Sequence, residues 1–262
     1  RSYAAPPIAI SIIFGALLTK VGLYSIIRTY GLFYYESNFI KSYILILGAV
    51  SIIAGCIGTI YQKDLKQIVI FNIVISLGVM VCGTATLNTF GVKGALFYAV
   101  NDILLKAALF IVVGLIIYVS GVKYLQKCGL INKYPLLGWT YFIIVLSLAG
   151  VPPFSGFYGK ALIIKGLVTN NNTFIAILVA LSGLVVFYSL IRIFLNVFYV
   201  NINKSLILKP LPKGVQIPLI AIVAIALIIG VSTNLLDGFF DKGIQMVLNP
   251  QHYIDLVLKK GA

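Results

Sequence analysis

Apolar residues run in long stretches along this chain, separated by short polar links. Seven stretches stand out: Ile8–Tyr30, Tyr43–Tyr61, Ile68–Leu87, Gly94–Val119, Leu136–Val168 with an interruption, Phe174–Val200 and Ile217–Leu235. Each holds about 20 or more mostly apolar residues, enough to cross about 30 Å of hydrocarbon as a helix. The ten-residue alternation of a membrane β-barrel is absent. The pattern predicts an all-α integral membrane bundle of about seven transmembrane helices, one of them broken. The tail, Leu236 to Ala262, is mixed, and reads as a short interfacial helix carrying His252, Lys259 and Lys260.

Composition sharpens this reading. The chain is 61% hydrophobic and 10% charged, with a mean hydropathy of +1.07. A soluble domain carries about 25% charged residues. The net charge of +14 does not call for nucleic acid in such a chain, because basic residues concentrate in cytoplasmic links. With seven spans, Arg1, Lys63, Lys66, Lys123, Lys127, Lys133, Lys204, Lys209 and Lys213 fall on the N-terminal side. Arg28, Lys41, Lys93, Lys242, Lys259 and Lys260 fall on the other, diluted by Glu36, Asp237, Asp241 and Asp255. The residue 1 side is therefore expected to be cytoplasmic and the tail external. Cys56, Cys82 and Cys128 form no CxxC pair, and with one histidine in the chain neither a disulfide framework nor a metal site is expected. No signal peptide is evident, and a start at Arg1 rather than Met reads as a fragment whose N-terminal part lies upstream.

The candidate chemistry lies in the charges inside the spans. Lys20, Asp102, Lys106 and Lys160 all fall deep within apolar sequence, where a charge costs about 2.5–3.5 kcal/mol on insertion scales. Lys165 and Arg192 lie nearer span ends and fit snorkelling. Asp102 and Lys106, four residues apart in "YAVNDILLKAALF", share a helix face. They read equally as a neutralised structural pair and as a proton-relay element, with Asn101 as a polar neighbour that holds water. Burial disfavours the charged form of an amine, so buried lysines joined by water form a candidate proton path.

The stretch "LAGVPPFSGFYGKALIIKG" interrupts the fifth span. Pro152 and Pro153 lack N–H groups, and Gly150, Gly156 and Gly159 loosen the backbone further. Broken helices in membranes need protein or water around them and often mark an ion site. Lys160 follows the break, which reads either as a packing kink or as an ion site. "YSIIR" at Tyr24–Arg28 recurs as "YSLIR" at Tyr188–Arg192, in spans of opposite direction, as an inverted repeat would leave it.

Taken in order, "GALLTKVGLYSIIR", "YQKDLKQIVIFN", "NDILLKAALF" and "LSLAGVPPFSGFYGK" resemble the antiporter-like membrane subunits shared by Mrp-type Na⁺/H⁺ antiporters and the proton-pumping arm of respiratory complex I. "RSYAAPP" and "YPLLGWTYFIIVLSLAGVPPFSGFYGK" look most like the D-type branch of the Mrp antiporters. The resemblance covers Arg1 to about Val200, and the tail more weakly. It implies a fold of about fourteen helices built from two inverted repeats, of which this chain is the C-terminal half. Residues 1–200 would then be the proton-translocating domain, and 201–262 the last helix and tail. Lys20 looks like the lysine of the eighth helix on the central proton path, Lys106 like the linking lysine between half-channels, and Lys160 like the exit-side lysine of the broken twelfth helix. Pro152, Pro153, Gly156 and Asn101 support them. The family's first half-channel, with a glutamate and a lysine, would precede Arg1. Asn101 and Asp102 stand where many relatives have histidine, a departure that affects the linking chain.

The function implied is a non-enzymatic subunit of a hetero-oligomeric Na⁺/H⁺ antiporter in a bacterial cell membrane. It would need no cofactor and bind no nucleic acid. Two alternatives are a proton-pumping subunit of an NADH:quinone oxidoreductase and a truncated, purely structural fragment.

Overall fold

The computed structural model describes residues 8–34, 37–199, 208–231 and 244. Among them the regular structure is helical: α1 (Ile8–Ile13), α2 (Thr19–Phe33), α3 (Asn38–Tyr61), α4 (Leu65–Ala85), α5 (Thr89–Ser120), α6 (Pro135–Ala149), α7 (Ser155–Thr169), α8 (Thr173–Ile193) and α9 (Lys213–Val231). A π-helical turn, Phe14–Leu18, joins α1 to α2, and another, Phe194–Phe198, extends α8. Side chains set several boundaries. Asp64 caps α4, its Oδ1 accepting from the backbone N–H of Lys66 at 2.9 Å and of Gln67 at 3.3 Å. Asn88 caps α5 through Gly91 N–H at 2.6 Å. These bonds satisfy donors that a helix start leaves free.

Five segments are long and apolar enough to cross a membrane: Ile10–Phe33, Asn38–Tyr61, Leu65–Ala85, Thr89–Ser120 and Thr173–Phe198. Pro135–Ala149 and Gly214–Gly230 are apolar but shorter. The interruption expected in the fifth stretch is present, between α6 and α7, and the Pro152–Pro153 peptide there is cis. Helices α4 and α5 form the centre: 72% and 67% of their most apolar stretches is buried, against 33% for Ile10–Phe33 and 28% for α3.

Small residues let the helices close up, as they do where lipid gives no hydrophobic drive for association. Gly48 and Gly55 of α3 lie against Gly78 and Ile75 of α4, and a Cβ on Gly78 would stand 2.7 Å from the Gly48 carbonyl. Gly94 of α5 meets α7 just as closely, because a Cβ there would stand 2.7 Å from the Ile163 nitrogen. That contact brings the charged helix α5 against the segment after the break.

Hydrogen bonds between links define the two ends. At one end Leu65 N–H reaches Lys123 O at 3.0 Å, Leu125 N–H reaches Lys63 O at 2.9 Å, Lys209 N–H reaches Val119 O at 3.0 Å, and Tyr134 O–H reaches Lys209 O at 2.8 Å. At the other, Asn88 Nδ2 donates to Gly166 O at 2.7 Å, and Asn170 Nδ2 to Thr86 O at 2.6 Å. Lys63, Lys123, Lys133 and Lys209 thus share one end, as alternating spans require. Helix α6 runs from that end to the break, and α7 from the break to the opposite end. The interfacial helix read in the tail, with His252, Lys259 and Lys260, lies outside the described residues.

Candidate functional site: a row of buried charges beside a broken helix

Helix α5 has 32 residues and is therefore about 48 Å long at 1.5 Å per residue. Asn101, Asp102 and Lys106 sit near its middle. All three are buried: Asn101 and Asp102 are 0% exposed and Lys106 is 1%. Lys20 in α2 and Lys160 in α7 are 7% and 6% exposed. The four ionisable positions singled out from the sequence are therefore all enclosed, on three different helices.

The ion pairing differs from what spacing alone suggests. Asp102 and Lys106 lie one turn apart, yet it is Lys20 Nζ that stands 2.6 Å from Asp102 Oδ2. The π-helical turn before α2 contributes to this. Its Gly15 carbonyl accepts from Lys20 Nζ at 3.4 Å and from Thr19 Oγ1 at 3.4 Å. Gly15 also lets the turn press onto Phe110 and Ile73, since a Cβ there would overlap both side chains. Among the described residues neither carboxylate oxygen of Asp102 accepts a hydrogen bond, and Oδ2 is compensated by the close lysine.

Lys106 donates no hydrogen bond to protein among the described residues. It interacts electrostatically with Asp102 and Lys20, and Lys160 in turn with Lys106 and Asp102. Asp102 is the anionic residue type among these four enclosed positions, and the other three are lysines.

Lys160 is anchored at the break. Its Nζ donates to Leu148 O at 3.0 Å and Ala149 O at 2.8 Å, the last carbonyls of α6. The Tyr98 ring centroid lies 5.6 Å from Nζ, within cation–π range. Cations favour a helix C-terminus, where free carbonyls concentrate partial negative charge. Two serines flank the break. Ser155 Oγ donates to Asn101 Oδ1 at 2.5 Å, and Ser147 and Ser155 hydroxyls lie 3.1 Å apart. Gly156 is required for this approach, because a Cβ would drive into the Ser147 carbonyl. Asn101 Nδ2 has no hydrogen-bond partner among the described residues.

Ser147, Ser155 and Tyr98 escaped the sequence reading, since single hydroxyls in apolar runs carry little signal. So did the role of Arg192. Its guanidinium caps the C-terminus of α3, donating to Ile60 O at 2.9 Å, Gln62 O at 2.5 Å and Thr59 O at 3.4 Å. Lys165 is exposed and stands over the Phe90 ring at 3.8 Å. A second polar group, Asn72 with Ser189 at 3.2 Å, joins α4 to α8.

Apolar helices of membrane-crossing length, enclosing ionisable groups beside an interrupted helix, define a polytopic helical membrane protein with ionisable side chains buried inside the bundle. The chain belongs to the NADH:quinone oxidoreductase/Mrp antiporter transmembrane family, whose model matches residues 1–186. It is 40% identical over 266 residues to the D-type subunit of the Na(+)/H(+) antiporter of Bacillus subtilis, covering 99% of this chain and 53% of that protein. It is 35% identical to the D-type antiporter subunit from Alkalihalophilus pseudofirmus, again covering 99% of this chain and 53% of the relative. The chain thus spans about half the length of the curated relatives it matches. In fold it is similar to a chain of the Mrp complex from Dietzia, with a TM-score of 0.90 at 21% identity, over 98% of this chain and 57% of that one. A chain of respiratory complex I from Thermus thermophilus gives 0.74 at 19% identity, over 92% and 56%.

Proposed function

We propose that this chain is the C-terminal half of a D-type subunit of a multi-subunit Na⁺/H⁺ antiporter in a bacterial cell membrane, carrying protons through its buried lysines and intervening water. The observation that carries this reading is the enclosure of Lys20, Asp102, Lys106 and Lys160 in apolar surroundings, with Lys20 Nζ 2.6 Å from Asp102 Oδ2. Intramembrane ionisable groups are expensive and tend to be kept for transport. The D-type relatives named as antiporter subunits favour exchange over redox pumping.

In this reading the bundle has seven crossings, with α6, the break and α7 together forming one and α9 forming the last. Residues 1–200 form the translocating unit and 201–262 the final helix and tail. The chain is one of two inverted repeats' worth of helices, its basic end faces the cytoplasm, and its partners are other antiporter subunits, Na⁺, H⁺ and lipid. It performs no covalent chemistry. Lys20, paired with Asp102, receives the proton from the upstream half. Lys106 passes it along α5, and Lys160 releases it beyond the break. Asn101, Pro152, Pro153 and Gly156 shape the path.

The test is Lys106→Met in the complete antiporter, read as Na⁺-dependent proton movement in everted membrane vesicles. Loss of exchange with normal assembly supports the path. Unchanged exchange overturns it. A proton movement that depends on NADH oxidation and not on Na⁺ would favour the respiratory alternative.

A further inference from the structure

The joint between α4 and α8 holds two buried polar atoms that lack hydrogen-bond partners among the described residues, and the two are complementary. Asn72 Oδ1 is an acceptor and Arg192 Nε a donor. Such orphans are rare inside proteins and point to a further partner, commonly ordered water. The orientation of the Asn72 amide is fixed. Its Nδ2 donates to Ile68 O at 2.9 Å, and a carbonyl can only accept, so the nitrogen lies on that side and Oδ1 on the other. Nδ2 also donates to Ser189 Oγ at 3.2 Å. Ser189 in turn spends its proton on Val186 O at 2.9 Å and keeps an acceptor position. Arg192 follows Ser189 by three residues on α8, so the two share a face, with Cβ atoms about 5–6 Å apart. Its other guanidinium nitrogens are held by Thr59, Ile60 and Gln62, which leaves Nε as the enclosed spare donor.

We propose that this joint is a binding site for one ordered water molecule, which donates to Asn72 Oδ1 and Ser189 Oγ and accepts from Arg192 Nε. Buried waters typically make about three hydrogen bonds, and these three groups supply them. A water fits where an ion does not. A cation there would face the Arg192 guanidinium, and an anion would face the Asn72 carbonyl oxygen. Asn72 and Ser189 are both 0% exposed, so the molecule is enclosed by protein.

The place of the joint gives it a role, which rests on the reading in the preceding subsection. Asn72 lies 13 residues before Ala85, the last of α4, and Asp102 lies 13 residues after Thr89, the first of α5. With equal rise per residue, the two stand at one depth on either side of a short link. Arg192 meets the end of α3, next in sequence to Lys63 and so at the basic end. The polar groups of the joint thus run from the depth of the buried charges to that end. They follow α4 and α8, apart from the break, where Lys160 meets α6. The bound water supplies a hydrated step by which protons pass between the centre of the bundle and its basic end.

The experiment uses the complete antiporter in lipid, with two readouts. The first is its structure at a resolution that shows waters. Density about 3 Å from both Asn72 Oδ1 and Arg192 Nε is expected, and a dry joint, or a side chain in that place, overturns the site. The second is Na⁺-dependent proton movement at equal amounts of assembled complex. Asn72→Leu with Ser189→Ala makes the joint apolar and is expected to slow exchange roughly tenfold. Asn72→Ser keeps a hydroxyl and room for water and is expected to stay within about threefold of the parent. Should the apolar pair not assemble, Ser189→Val, which fills the joint from one side, takes its place with the same expectation. Parent-level exchange in the apolar variant overturns the proton step. If Lys106→Met abolishes exchange in the same assay, that failure belongs to the joint alone. If Lys106→Met also exchanges as the parent does, the proton path of the preceding subsection falls with it.

Discussion

The 2.6 Å contact between Lys20 and Asp102 links the first span to the centre of the bundle, and removing either partner tests it. Asp102→Asn leaves the Lys20 ammonium, 7% exposed, with the Gly15 carbonyl at 3.4 Å as its remaining hydrogen-bond acceptor among the described residues. Lys20→Met leaves an anionic carboxylate that is 0% exposed and has no hydrogen bond to either oxygen. Breaking a buried pair from one side costs about 3–5 kcal/mol, because an uncompensated charge remains. Removing both partners leaves no charge, so Lys20→Met with Asp102→Asn should be more stable than the sum of the single changes implies. A coupling of at least about 1 kcal/mol is expected, within the range seen for residues in contact. The matching cycle of Asp102→Asn with Lys106→Met should give a smaller value, because Asp102 lies against Lys20 rather than the lysine on its own helix. The assay is the thermal midpoint of the solubilised complete complex for the parent, both singles and the double. Strict additivity at Lys20 and Asp102, or a larger coupling at Asp102 and Lys106, would refute the pairing.

Other residues give independent checks. Gly156→Ala places a methyl group against the Ser147 carbonyl, and overpacking of this kind costs about 1–3 kcal/mol, so the yield of folded complex should fall while Gly22→Ala, with open space around its Cβ, leaves it unchanged. Arg192→Gln strips donors from Thr59, Ile60 and Gln62; a loss of about 1–3 kcal/mol should appear as faster hydrogen exchange at the C-terminal end of α3, and an unaltered rate there would rule out the cap. Cys128, outside the helices, is 0% exposed, and burial pushes its thiol up, an effect larger than the opposing hydrogen bond from Ser120. The thiolate is the reactive form, so a maleimide at pH 7 should label Cys128 only after denaturation, and rapid labelling of the native protein would contradict its enclosure.

Hydrophobic runs along one chain were enough to place most helices, because a helix in hydrocarbon must satisfy its own backbone and be apolar along its whole length. The stretch Asn38–Tyr61 and the break after Ala149 could be read in this way. Charge placement was legible for the same reason: in a 61% hydrophobic chain, Lys20, Asp102, Lys106 and Lys160 stand out where the cost of burial is high. Partner choice was not. The i, i+4 spacing of Asp102 and Lys106 describes one isolated helix, whereas the 2.6 Å contact with Lys20 depends on the crossing of a second helix and on a π-helical turn at Phe14–Leu18 that no periodicity announces. Nor could spacing show that Ser155 reaches Asn101, 54 residues away, or that Arg192 caps α3, 132 residues before it. By itself the sequence determined which residues carry a burial cost and where the backbone loses its donors at Pro152 and Pro153. Which groups offset that cost was decided only by tertiary structure, because hydrogen bonds and ion pairs act over about 3 Å, and only packing brings distant segments that close.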